Sequence, residues 1–454
     1  MSISRNILPM NKQTTICALA SAVGRGGIGV VRVSGPLVHS IAKQMLGFEP
    51  KPRYAHYGDF LDAEGKLLDQ GVSLFFPAPH SFTGEDVLEF QGHGGLSVMR
   101  ALLEACNQLG AMYAEPGEFS KRAFLNGKMD LVQAEAVADL IEASSERASR
   151  SAIRSLSGEF SQQVNQLTQS LIELRVFVEA TIDFSDEEID FLEVEQVQSK
   201  TRQIYEDIQQ ILIASKQGAV LREGLNVAIA GKPNAGKSSL LNALTQDDSA
   251  IVTDIAGTTR DVLKETIHIN GMPLNIIDTA GLHQSDDKVE QEGIRRAHSE
   301  IQRADLVLLV FDAQEGEPDS SILPADLEQK PLLVIKNKID LTGEAPTLEA
   351  HEPSQINLCA KSGQGVEVLR QRLSEMAGLD EVGEGVHLAR ERHVQALEMA
   401  LGFVENALAQ LSAGSAELMA EDLKQAGQWM GSITGEFSSD DLLGEIFSSF
   451  CIGK

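Results

Sequence analysis

Apolar residues in this chain change period three times. From Leu131 onward, VQAEAVADLIEASSERAS places them at helical spacing with no interior glycine or proline. Val194, Val197, Thr201, Ile204, Ile208 and Ile211 then recur at steps of three and four, which predicts one long helix packed in a bundle. LNVAIA, LNIIDTAG and LLVIKNKID follow as short, continuously apolar runs, the pattern of strands buried on both faces. Helical spacing returns in LARERHVQALEMALGFVENALAQL and ELMAEDLKQAGQWMGSI. Residues 1–120 differ. TTICALAS, GVVRVSG and VSLFFPAP are strand-like runs separated by turns. The expected architecture is multidomain α/β and α+β. Residues 1–120 form an N-terminal α+β domain. A discontinuous helical domain is built from 121–223 and 377–454, and an α/β domain at 224–376 is inserted into it. Insertion at an exposed helix connection is easy when the inserted domain's ends lie close together. Two unrelated helical domains are the alternative.

Length and charge narrow the functions. A chain of 454 residues has room for several cores. Its formal net charge of −28 argues against broad binding to nucleic acid through a basic surface. A local cluster, Arg147, Arg150 and Arg154, could touch phosphate, or could simply be a solvated helix face. No run reaches the length of a spanning helix, and no secretory leader is visible, so a cytoplasmic protein without a membrane anchor is expected. Cys17, Cys106, Cys359 and Cys451 lie too far apart for metal spacing or a disulfide framework.

The densest chemistry follows LNVAIA. GKPNAGKSS is G-x-x-x-x-G-K-[ST] between a strand and a helix, the setting in which backbone amides wrap phosphates. Within it, Asn234, Ala235, Gly236, Lys237, Ser238 and Ser239 would contact nucleotide. Lys237 would reach the β- and γ-phosphates, and Ser238 would ligate Mg²⁺. LNIIDTAG ends in D-x-x-G, where Asp278 can hold Mg²⁺ through water and the Gly281 amide can sense the γ-phosphate. LLVIKNKID ends in N-K-x-D. Asp340 can accept both N–H groups of the guanine edge, a donor pair adenine lacks. Asn337 would brace the loop and the stem of Lys338 would lie over the base. In NLCAKSG, the Cys359–Ala360–Lys361 backbone can meet the guanine carbonyl, with Cys359 as a small structural residue. Four motifs in this order within about 130 residues resemble the Ras-like small-GTPase G domain.

The switch segment departs from Ras. Thr259 in AIVTDIAGTTRD is the natural second Mg²⁺ ligand, but Leu282 follows D-x-x-G where Ras-like enzymes carry a water-orienting glutamine. Arg260 remains a candidate for an arginine in cis. GTPases with an asparagine at the place of Asn234 and a GTTRD switch look like the monovalent-cation-activated group. In that group Asn234 and carbonyls near Thr253, Ile255 and Thr258 would hold K⁺ against the phosphates, in place of an arginine finger; a loop-capping asparagine is the alternative. Glu290, Asp286 and Asp287 are all candidates for positioning water.

Two glycine-rich stretches and the C-terminus remain. GRGGIG fits a dinucleotide fingerprint, but VVRV follows, a strand where that site needs a helix. In SFTGEDVLEFQGHGG, His93 reads as a loop histidine, and Glu89 either faces solvent from a sheet edge or serves a pocket. FCIGK imitates a prenylation box. Its acidic upstream segment, Gly453 and the terminal Lys454 argue against one, leaving Cys451 as a buried thiol or a functional one on a mobile tail.

GRGGIGVVRVSG, SFTGEDVLEFQGHGG, EPGEFSKRAFLNGKMDLVQAEAVADLI, the G-domain motifs and FCIGK together resemble the tRNA modification GTPase MnmE (TrmE) family, from near residue 16 to the last residue. The resemblance implies an N-terminal domain that dimerises and binds a reduced folate, 5,10-methylene- or 5-formyl-tetrahydrofolate, at Arg32, Glu89, Lys128 and Lys454. It implies K⁺-stimulated GTP hydrolysis by juxtaposed G domains, with Glu290 favoured for positioning water. It also implies a homodimer that works with the FAD-dependent MnmG (GidA) in a heterotetramer or larger complex. Together they would place an aminomethyl or carboxymethylaminomethyl group on C5 of the wobble uridine of certain tRNAs, with Cys451 as a functional thiol. A regulatory GTPase switch acting in ribosome or RNP assembly is the competing reading, and a scaffold with a degenerate nucleotide site is a third; intact Lys237, Ser238, Asp278 and Asp340 oppose the last.

Overall fold

The computed structural model describes residues 14–143, 145–183, 191–245, 264–269, 272–278, 298, 301–324, 330–349, 351, 353–377, 388–436 and 440–453. Contacts divide the chain into two compact units. One comprises Met1–Ala138, Leu156–Gln169 and Gly427–Lys454; the other comprises Asp139–Ser155 and Ser170–Ala426.

The first unit is built on a six-stranded sheet. Its strands are β1 (Ile16–Leu19), β2 (Gly29–Ser34), β3 (His56–Leu61), β4 (Leu67–Phe76), β5 (Val87–Gly92) and β6 (Met112–Tyr113), in the order β3-β4-β5-β2-β1-β6. Helices α1 (Val38–Leu46) and α2 (Leu96–Gln108) cover one face. The period-two pattern explains which face: Val31 and Val33 point into a core with Ile41, Met45, Phe90 and Leu102, all buried. Arg32, between the two valines, therefore points to the opposite face. There Ile16, Ala18 and Ala114 pack with Phe119 of α3 (Glu118–Leu125). GRGGIG runs into β2, as its β-branched continuation predicts, so no dinucleotide fold forms.

Leu131 opens not one helix but two, α4 (Leu131–Glu142) and α5 (Glu146–Leu156). The restart has a local cause, because the Ser145 hydroxyl accepts the Ala148 amide at 3.1 Å as an N-cap. Next come α6 (Glu159–Asp183) and α7 (Phe191–Glu223). Val197, Thr201, Ile204 and Ile208 form the buried stripe of α7 that the spacing predicts, joined by Leu212 where Ile211 was expected.

The second unit holds the G-domain sheet, β7 (Leu225–Ala230), β8 (Lys264–Ile269), β9 (Met272–Asp278), β10 (Leu306–Asp312), β11 (Leu332–Asn337), β12 (Thr347–Glu349) and β13 (Ser354–Asn357). The order is β12-β13-β11-β10-β7-β9-β8. β9, β7, β10, β11 and β13 are parallel, and the edges β8 and β12 are antiparallel. One sheet face packs on α8 (Lys237–Thr245) and α9 (Val366–Met376) through Leu240, Leu244, Leu369 and Leu373. The other buries Ala228, Ile277, Val307 and Leu309. Burial on both faces is why these strands are apolar without alternation. α10 (Glu391–Ser412) lies along α7, and α11 (Ala416–Thr434) and α12 (Asp440–Ser448) complete the chain. No described helix is long and apolar enough to cross a membrane.

Candidate functional site

Parallel strands carry ligands at their carboxyl ends, and the G-domain motifs gather there. The loop Gly231–Gly236 leaves β7 and turns into α8, whose first residue is Lys237. Asn234 and Gly236 take left-handed φ values of 62° and 98°. A β-carbon at Gly236 would run into the side-chain nitrogen of Asn337, so only glycine fits this point. Lys237 Nζ donates to the carbonyls of Gly231 at 2.6 Å and Lys232 at 3.0 Å, folding the lysine over its own loop. Ser238 and Ser239 are exposed at the helix start, where amides lacking helical partners suit an anion.

Asn337 ends β11 and is buried, 2% exposed. Its Nδ2 donates to Ala235 O at 2.8 Å. Its Oδ1 accepts the Lys338 amide at 2.8 Å and the Ala360 amide at 3.0 Å. One side chain thus ties together the phosphate-type loop, the N-K-x-D segment and the C-A-K segment. Lys338 stands at φ 66°. Asp340 and Lys361 are exposed, Ala360 is buried, and Cys359 is buried with its amide donated to Gln364 O at 2.8 Å. Asp278 lies beside Ile229 in the β7–β9 register, at the mouth of the same loop. Its side chain, and Thr253, Ile255, Thr258, Thr259, Gly281 and Glu290 with Arg260, Leu282, Asp286 and Asp287, lie outside the described residues, as does Lys454. The described geometry fits a nucleotide: amides at a helix start, a lysine over the loop, and an exposed carboxylate three residues beyond a braced asparagine.

A second cluster occupies the open face of the N-terminal sheet. Arg32 and Glu89 stand opposite each other in the β2–β5 register, and Arg32 Nε donates to Glu89 Oε1 at 2.9 Å. β5 is an interior strand, so Glu89 is not the edge carboxylate that an exposed strand would offer. The Arg32 guanidinium lies 5.3 Å from the Phe82 ring centre and 5.8 Å from that of Phe119. Lys128 Nζ donates to Pro79 O at 2.9 Å, at the start of the strap that carries Phe82. A flat group with a polar edge suits such a surface, which combines an ion pair with two aromatic rings.

The C-terminal tail is docked rather than loose. Phe450 packs with Phe447, their ring centres 5.2 Å apart. Cys451 O accepts the Gly117 amide at 3.3 Å, and Ile452 bridges Pro116. Gly453 is buried at φ 93°, and a β-carbon there would strike the Leu19 carbonyl oxygen. The tail expected to be mobile is therefore held at the entry of α3, the helix whose Phe119 lies under Arg32. Cys451 alone among the four cysteines is exposed. Burial pushes the Cys17 thiol up to about 11 and Cys106 well above its ordinary value. A thiolate-selective disulfide reagent should therefore modify one thiol in the folded protein and four after denaturation. Cys451→Ser should reduce the folded count to zero; a second fast-reacting thiol would contradict the assignment.

His93 is a loop histidine, its Nδ1 2.8 Å from Asp69 Oδ1, and no metal-type cluster exists among the described residues. Arg150 of the arginine cluster pairs with Glu146 at 2.6 Å on an exposed helix face. Two functional-looking groups have no motif. Asp312, ending β10, bonds Lys338, and Asp139 of α4 accepts two arginines. A carboxylate closing an otherwise apolar strand, as in LVLLVFD, is the signal that could have found Asp312.

Known proteins match along nearly the whole chain. A family model described as the MnmE helical domain matches residues 131–451, and one described as the GTP-binding protein TrmE N-terminus matches 15–128. The tRNA modification GTPase MnmE of Ruthia magnifica subsp. Calyptogena magnifica is 69% identical over 98% of this chain and 100% of its own. Proteins of the same name from Vesicomyosocius okutanii and Hydrogenovibrio crunogenus are 66% and 56% identical. They cover 98% and 97% of this chain and 100% and 98% of theirs.

Proposed function

The chain belongs to the MnmE family of tRNA modification GTPases, and from that premise we propose that its GTP hydrolysis is K⁺-stimulated and drives wobble-uridine modification. The observation that carries the GTP site is the Asn337 side chain, which joins three motif loops at one strand end. Lys237 meets the β- and γ-phosphates, Ser238 and Thr259 hold Mg²⁺ with Asp278 behind water, and Asp340 reads the guanine edge. The left-handed backbone and exposed side chain of Asn234 support a cation contact there. Asn234 and the carbonyls of Thr253, Ile255 and Thr258 hold K⁺, which supplies positive charge where a Ras-like enzyme receives an arginine. Glu290 positions water.

The Arg32–Glu89 pair between Phe82 and Phe119 supports a reduced-folate site with Lys128 and Lys454, and the docked tail supports delivery of Cys451 to that chemistry. The protein acts in the cytoplasm as a homodimer. With the flavoprotein MnmG it places the aminomethyl-type group on tRNA. The domains are 1–120, 121–223 with 377–454, and 224–376. A helical-domain family model that runs from 131 to 451, across the G domain, supports this interrupted arrangement.

The test is a comparison of GTP turnover in matched KCl and NaCl. Arginine fingers are worth on the order of 10³ to 10⁵ in rate, so at least a tenfold advantage for KCl is expected, and Asn234→Ala should remove it. Equal rates in the two salts would sink the cation proposal.

A further inference from the structure

We propose that Asp312 is a positioning residue for guanine recognition: it holds the far end of the Lys338 side chain while Asn337 holds the near end. This rests on the reading of residues 337–340 as the base-binding segment. Asp312 and Asn337 stand opposite each other as the last residues of β10 and β11. Asp312 Oδ2 accepts from Lys338 Nζ at 2.7 Å. Its Oδ1 accepts the Gln314 amide at 3.0 Å, capping the turn at 313–315. That turn packs beside the one at 339–341. The carboxylate is thus fixed through both oxygens before it meets the lysine.

A lysine stem has several rotatable bonds and loses much freedom when ordered. Here the backbone is fixed by the Asn337 side chain and the ammonium by Asp312, so the four methylenes between them form a fixed apolar strip. Such a strip offers a purine a face already in place, and preorganisation of this kind lowers the ordering cost of binding. An ordinary surface ion pair contributes little. This one differs, because the Asp312 side chain is only 16% exposed and that of Lys338 31%. The Lys338 hydrogen bond, then the Gln314 amide, hold the Asp312 carboxyl below the usual carboxylate range. The anion is therefore present throughout the neutral range.

Asp312→Asn in the full-length chain keeps the shape and removes the charge. Binding of fluorescent GDP and GTP should weaken about tenfold for both, the loss of one charge-assisted bond, and appear chiefly as faster release. Lys338→Met should lose a similar factor, and the double variant should be no worse than either single one. Unchanged affinity in Asp312→Asn, or losses that multiply in the double variant, would overturn the proposal. Should Asp312→Asn fail to fold, Lys338→Met decides alone: it retains an apolar stem with a free end, and wild-type affinity would overturn the idea. Asp340→Asn separates this inference from the reading beneath it. If that variant keeps its preference for guanine over xanthine nucleotides, the base-site reading falls. If it switches while Asp312→Asn binds normally, only the role of Asp312 falls.

Discussion

Asp340→Asn is expected to weaken GTP binding on the order of 10² to 10⁴ and to turn the preference toward xanthine nucleotides. A carboxylate offers two acceptors to the two N–H donors of guanine. Asparagine offers one acceptor and one donor, so one guanine donor meets another donor. Hydrogen bonds to charged groups are worth about 1.5–3 kcal/mol each, and two of them amount to about 3–6 kcal/mol. Xanthine carries a carbonyl where guanine carries its amino group and so matches the new donor. Asp340 is exposed, in the short turn after Lys338, so the substitution should leave the unliganded fold intact. That lets binding be compared with an unchanged melting curve as control. Competition of GTP and XTP against a labelled guanine nucleotide measures the shift. GTP affinity within tenfold of the parent would mean that Asp340 does not read the base.

The sequence discloses Asp340 for the same reason that it discloses the P-loop: each lies in a contiguous stretch whose strand context can be read locally. LNVAIA and LLVIKN are apolar because parallel strands bury both faces, and the loops follow where the runs end. The break between α4 and α5 was less legible, since Ser145 caps a helix inside a pattern that suits one continuous helix. Pairings between distant strands were not legible at all. Arg32 meets Glu89 because β2 and β5 are neighbours in one register, and nothing local to either strand states that. The same holds for Asp312 and Lys338. The docking of the tail is hidden from local reading for a related reason. Gly453 reads as flexible in isolation, yet its missing side chain is what lets it lie against the Leu19 carbonyl.

Asp139 is the furthest of these from any motif, and its removal should be among the most costly single changes in the second unit. Its Oδ1 accepts from Arg222 Nε and from Arg390 Nη2, each at 2.8 Å, and its side chain is only 5% exposed. Arg222 lies in the last turn of α7, just before β7, and Arg390 precedes the first residue of α10. One carboxylate therefore fastens both places where the chain passes between the flanking helices and the G-domain sheet. Ser155 adds a hydrogen bond to Leu388 O at 3.4 Å on the return crossing. Burial opposes the charge on Arg222, but the Asp139 carboxylate, with Glu223 and Glu142 behind it, outweighs burial and raises the guanidinium's pKa. Asp139→Ala leaves two guanidinium groups without that partner in a largely buried place, a change that costs about 3–5 kcal/mol when a buried pair is broken. Arg222 retains Glu223 at 2.9 Å, so the lower end, about 3 kcal/mol, is expected. Amide hydrogen exchange is the suitable measurement, since a chain of several domains does not unfold in one step. Amides at the end of α7 and in the first turn of α10 should exchange about 100-fold faster, a factor equal to some 2.7 kcal/mol. Those of α1 and α2 should be unaffected. The losses of Asp139→Ala and Arg390→Ala should be less than additive in the double variant, because the bond between the two residues is counted in both. Full additivity would mean that the two arginines are held by other neighbours and that Asp139 is not the joint.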